Sequence, residues 1–128
     1  MLRACRQALR PGGRIAFTTI QPVPGLQPKQ RQKANRSGPQ EVTVRSSYLS
    51  MLRTAGFGDI SATDVTAEYR STLRRWLDAT DRHETLIRGV IGNDTYEERS
   101  AQRKRDLQGV DDGLLSRFIY TATRATRQ

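Results

Sequence analysis

The sequence predicts an alternating α/β fold, and three stretches of it carry that prediction. A short helical pattern stops at Pro11-Gly12-Gly13 and runs directly into a β-forming segment. A second helical pattern closes on Ala55-Gly56-Phe57 before another such segment, and the chain ends on the alternating Phe118, Tyr120 and Ala122. Helices that feed strands through tight glycine turns are the mark of alternating architecture.

The elements follow in order. Leu2, Cys5, Ala8 and Leu9 share one helical face. Proline cannot continue that ladder, and paired glycines supply the turn. Arg14 to Ile20 then reads as a strand, with Ile15, Phe17 and Ile20 apolar and Thr18 and Thr19 β-branched. Residues 21–42 hold Pro22, Pro24, Gly25, Pro28, Gly38 and Pro39, together with Lys29, Arg31, Lys33 and Arg36. This composition predicts a flexible basic loop, placed beyond a strand's carboxyl end, where α/β ligand sites lie.

Ser46 or Ser47 can cap a helix that buries Tyr48, Leu49 and Leu52. Gly56 ends it, and Asp59 to Thr66 reads as a second strand through Ile60, Ala62 and Val65. Tyr69, Leu73, Trp76 and Leu77 then give the clearest amphipathic helix in the chain. Another helix carries Leu86, Ile87, Val90 and Ile91 up to Gly92 and Asn93. Residues 95–108 predict a charged helix on the surface, and Phe118 to Arg124 the last strand. The helices at about 67–116 form an insertion between the last two strands.

Bulk properties bound the function. At 128 residues the chain is one domain's length, with 35% hydrophobic residues and a mean hydropathy of -0.70, so its core is expected to be thin. The net charge of +9 raises a nucleic-acid or acidic partner. The cations are mostly Arg scattered along the whole length, which argues for solvated helix faces and against one phosphate-binding stripe. Cys5 is the sole cysteine, so no internal disulfide or zinc set is available, and a buried, inert thiol is expected. No apolar run approaches the ~20 residues of a membrane span, and the amino terminus lacks a secretory core. A cytoplasmic location is the expectation.

The run from Leu2 through Leu9-Arg10-Pro11-Gly12-Gly13 to Phe17 resembles a segment of class I S-adenosylmethionine-dependent methyltransferases. There a helix ends at a leucine-basic-Pro-Gly-Gly turn and feeds a central strand. Tyr48 to Phe57 is similar to that family's next helix, and Leu114 to Arg124 to its final strand. The resemblance implies the carboxyl-terminal half of a Rossmann-like sheet: three strands with flanking helices, the last strand antiparallel and lying between the other two. It implies S-adenosylmethionine as the cofactor of the full-length family and a small-molecule methyl acceptor. The family holds its donor on a Gly-rich turn after the first strand and on an acidic residue ending the second. Neither is matched here, so residues 1–128 are expected to be a partial domain that needs a separate amino-terminal half.

By the same resemblance, Thr19, Tyr69 and Trp76 are the candidates for substrate contact. Each has a plainer reading: Tyr69 and Trp76 share a face with Leu73 and suit a core, and Thr19 is simply a good strand former. His83, beside Asp81 and Glu84, reads as exposed, and Asp64 as a surface residue. No catalytic residue, donor-binding residue or metal ligand can be nominated. Two rival readings stand beside the methyltransferase fragment: a basic module that meets nucleic acid through residues 28–45, and a non-catalytic remnant.

Overall fold

The computed structural model describes residues 1–37 and 47–126, arranged as three strands and six helices. In chain order these are α1 (Leu2–Ala8), β1 (Arg14–Pro22), α2 (Pro28–Ser37), α3 (Tyr48–Thr54), β2 (Phe57–Asp64), α4 (Thr66–Arg82), α5 (Glu84–Ile91), α6 (Asn93–Asp111) and β3 (Leu115–Arg124). The strands lie in the order β1-β3-β2, so the last strand is the central one, as expected. β3 runs antiparallel to β2, from Phe57 opposite Arg124 to Asp64 opposite Phe118.

Backbone contacts divide the chain into two compact units. The first comprises residues 1–19, 44–64 and 117–128 as far as they are described. Its core is Leu2, Leu52, Phe57, Tyr120 and Ala122, with Ile15, Phe17, Tyr48 and Phe118 packed against them. The rings of Phe17, Tyr48 and Tyr120 meet pairwise at 5.3–5.9 Å, the spacing at which aromatic quadrupoles attract. The Pro-Gly-Gly turn secures this unit's sheet: Gly12 donates its N–H to the carbonyl of Arg124, whose own N–H returns to Gly13, both at 2.8 Å. Gly12 takes φ +79°, and a Cβ on Gly13 would lie 2.8 Å from the carbonyl oxygen of Arg10, so the pair is demanded by geometry. Arg124 also donates from Nη1 to the carbonyls of Arg6 and Leu9, which caps the open end of α1. Ser47 caps α3, its Oγ accepting from the N–H of Ser50 at 3.1 Å, while Ser46 lies outside the described residues.

The second unit comprises residues 20–43 and 65–116 as far as they are described. Its core gathers Ala34, Tyr69, Leu73, Val110, Leu114 and Leu115 from α2, α4, α6 and the start of β3. Two expectations change here. Within the basic stretch at 21–42, Pro28–Ser37 is a helix, with Pro28 at the helix start where its missing N–H costs nothing. Residues 38–42 lie outside the described ones. The charged stretch at 95–108 belongs to the 19-residue α6, which is no surface helix: it buries Tyr96, Ser100, Asp106, Gly109 and Val110. A Cβ on Gly109 would sit 2.7 Å from Leu115 Cδ1 and 3.2 Å from Ser37 Cβ, so glycine lets these elements approach. Conversely, α5 buries none of its residues, and Leu86 and Val90 are 70% and 78% exposed.

Candidate functional site

The three nominated contact residues do not share one environment. Thr19 is buried in the first unit, on β1. In the second unit Tyr69 is a buried member of the core with Leu73 and Val110. Trp76, two turns farther along α4, is 53% exposed, so the plain expectation that it is core is corrected. Its neighbours explain the difference: Trp76 borders Ile87 and Ile91 of α5, a helix that buries nothing, whereas Tyr69 packs with Leu73, Val110 and Leu114. His83 is exposed, as read, and Cys5 is half-buried, short of the burial expected for it.

Trp76 instead lines a cavity of about 240 Å³ made by α4, α5 and α6 of the second unit. α4 contributes Trp76 and Thr80, α5 contributes Ile87 and Ile91, and α6 contributes Tyr96, Arg99 and Arg103. The Arg103 guanidinium stacks 4.4 Å above the Trp76 ring. Tyr96 donates its hydroxyl to the carbonyl of Thr80 at 3.3 Å, tying the start of α6 to the end of α4. Burial, then the charges of Glu84 and Asp81, push that phenol above its ordinary pKa and keep it a donor. Arg88 lies 4.2 Å over the Tyr96 ring and is bound by Glu84 at 3.0 Å and by Glu97. Those hydrogen bonds raise the Arg88 pKa and lower that of Glu97. The cations on these helices therefore differ in kind: Arg88, outside the cavity lining, is neutralised, while the lining residues Arg99 and Arg103 have no carboxylate within ion-pair distance among the described residues.

A second group that sequence reading missed is Asp106, 7% exposed on α6. Burial raises its pKa, against the hydrogen bond that Gln102 Nε2 donates at 2.8 Å and the charge of Arg105. No sequence signal marked it, because one Asp among the Arg and Gln of 99–108 looks like surface. Tyr96, Arg99 and Arg103 did carry a signal, since i, i+3 and i+7 share a helix face.

Among the described residues no Gly-rich turn leads from a strand into a helix, as a methyl-donor site of this kind needs. Gly12, Gly56 and Gly113 each precede a strand, and Gly92 lies between two helices. Among the described glycines, Gly25 follows a strand and leads to a helix, but it stands as a single glycine between Pro24 and Pro28, not a Gly-rich turn. Asp64 does close a strand, yet that strand is at the sheet's edge. On α2, Lys29, Lys33 and Arg36 fall on one exposed face, a denser basic stripe than the sequence suggested.

No protein-family model matches the chain, and no curated protein matches it. Solved structures do. Phosphoethanolamine N-methyltransferase 2 of Haemonchus contortus, in complex with phosphomonomethylethanolamine and S-adenosylhomocysteine, superposes with a TM-score of 0.77 at 16% identity, covering 98% of this chain and 29% of that one. A structure of the same enzyme with S-adenosyl-L-methionine gives the same values. A protein assigned as a sarcosine dimethylglycine methyltransferase, from Galdieria sulphuraria, gives 0.79 at 11% identity, covering 99% of this chain and 47% of that one. The chain thus has the fold of part of these S-adenosylmethionine-dependent methyltransferases, and spans less than half the length of each.

Proposed function

We propose that this chain is the carboxyl-terminal, acceptor-side part of an S-adenosylmethionine-dependent methyltransferase acting on a small molecule, and that its 128 residues alone do not hold the donor. The observation that carries the reading is the strand order β1-β3-β2 with an antiparallel central strand, in a chain that superposes almost entirely on part of such enzymes. The same order leaves β1 at an edge of the described sheet, and a nine-residue edge strand is a template for another strand. A donor-binding polypeptide pairing along β1 would complete the sheet.

The donor supplies an activated methyl group. The protein's task in such a transfer is alignment and exclusion of water, with a base only where the acceptor must lose a proton. Of Thr19, Tyr69 and Trp76, Trp76 is the one with an exposed ring to offer a ligand, while Tyr69 and Thr19 are buried. Calorimetric titration of the purified chain with S-adenosylmethionine tests the proposal. No heat of binding is expected, whereas saturable micromolar binding would put the donor site within these residues. A glycine-rich strand-turn-helix encoded just upstream of Met1 would supply the complementary part, and its co-expression should create donor binding.

The nucleic-acid reading is favoured by the stripe of Lys29, Lys33 and Arg36. A single ten-residue helix offers fewer cations than the roughly six to ten phosphate contacts that give strong salt dependence, so it stays the second reading. A steep fall of RNA or DNA affinity with salt would promote it.

A further inference from the structure

We infer that the cavity between α4, α5 and α6 binds a small organic anion with a flat apolar body, an aryl carboxylate being the simplest case. Part of the wall is apolar: Trp76 presents a half-exposed ring, Tyr96 lies buried behind it, and Ile87 and Ile91 line the α5 side. At about 240 Å³ the space is smaller than the ~300–1,000 Å³ of drug-sized sites, so it suits one ring with a short substituent. Charge fixes the sign of that substituent. Arg99 and Arg103 stand one helical turn apart on the α6 wall without carboxylate partners among the described residues. A cationic ligand would be repelled by both, and its usual aromatic partner is taken, since Arg103 already covers a face of Trp76.

An anion changes the balance in two ways. It gives the guanidiniums of Arg99 and Arg103 charge-assisted hydrogen bonds, and guanidinium forks match a carboxylate geometrically. It also lays its ring against Trp76, which is half-exposed, removing apolar surface from water. Arg88 does not compete for the anion, because Glu84 and Glu97 already hold it. Tyr96 is fixed by its bond to Thr80, so the wall is set before the ligand arrives.

The inference deepens the acceptor-side reading only in using Trp76, and binding can be measured without any methyl transfer. Trp76 is the sole tryptophan and also borders a hollow with Thr72, Arg75 and Arg82 on α4, so its fluorescence reports binding beside it and the Arg99/Arg103 variant assigns the signal to this cavity. The 128-residue chain is titrated with benzoate, phenylacetate, benzyl alcohol, benzylamine and acetate. Saturable change is expected for benzoate or phenylacetate, with benzyl alcohol, benzylamine and acetate at least tenfold weaker. The double variant Arg99→Gln/Arg103→Gln should lose at least tenfold for the carboxylates, with its circular dichroism unchanged, and Arg74→Gln should lose nothing. Benzyl alcohol binding as well as benzoate, or acetate doing so, would overturn the inference, as would a folded double variant that binds normally. Should the double variant unfold, the ligand series on the unmodified chain still decides. Absence of donor binding alongside carboxylate binding separates this inference from the previous proposal, and the converse result does so equally.

Discussion

The two units of this chain reach burial by different chemistry. The first packs aromatic and aliphatic side chains into a continuous cluster, with Phe17, Tyr48, Phe118 and Tyr120 in ring contact. The second has a smaller apolar cluster and buries Ser100, Asp106 and Ser116 as well, while Trp76, Leu86 and Val90 stay outside. Ion pairs bind its helices at the surface: Asp111 on α6 meets Arg70 and Arg74 on α4 at 3.0 and 3.5 Å. Half-exposed pairs of this kind contribute only about 0.2–1 kcal/mol each. Where stability comes from hydrophobic area, a fold must be specific in shape. Where polar groups are buried and apolar ones left open, that arrangement lowers stability and leaves room for a ligand.

The largest expected effect lies in the first unit. Leu52 is fully buried, and Leu52→Ala removes its transfer energy and leaves a void, so a loss of about 2–5 kcal/mol is expected. Urea denaturation followed by far-ultraviolet circular dichroism measures it. A loss below 1 kcal/mol would mean that this core is as loose as its neighbour's, and the contrast would go.

The second unit's close approach at Gly109 ranks next. Gly109→Ala places a methyl group 2.7 Å from Leu115 Cδ1, and Leu115 is 1% exposed with little room to yield. Overpacking of this kind costs about 1–3 kcal/mol. Gly89→Ala on α5 is the internal control, because nothing lies within 4 Å of its Cβ. There the helix should gain about 0.5–1 kcal/mol from the better helix former. Equal effects of the two changes would show that α6 does not pack where it is placed.

The same chemical difference decided how much could be read in advance. Leu2, Leu52, Tyr120 and Ala122 follow the period of their helices and strand, so the first unit's core and the glycine turns before its strands were legible. The place of β3 between its neighbours came through the family resemblance, since antiparallel insertion leaves no periodicity of its own. α6 was misplaced because its buried face is Tyr96, Ser100, Asp106, Gly109 and Val110, a mixture without an apolar period. α2 was hidden by the prolines and glycines around it, though its own interior, Lys29 to Ser37, contains neither. Trp76 was placed on the right helical face, but periodicity cannot say that α5 would leave that end of the face uncovered. Sequence therefore shows where apolar area is available and is silent on which polar groups are buried.

Asp106 offers the smallest and sharpest test of that silence. Its pKa is raised in the folded chain, chiefly by burial, so folding favours the protonated form. The sign follows by linkage: below the ordinary aspartate value of about 3.9 the carboxyl is neutral in both states and exerts no penalty. As pH rises through the interval up to the folded pKa, the unfolded chain ionises first and stability falls; above it the penalty is constant. Asp106→Asn keeps the shape and the acceptor for Gln102 Nε2 while removing the charge. The variant should match the parent at pH 3.5 and exceed it at pH 7, with the difference opening between these limits. Urea midpoints at the two pH values measure the change. A parent more stable than the Asn variant at pH 7 would mean that the carboxylate is needed as an anion in the second unit, and that α6 carries a site there and not a concession to burial.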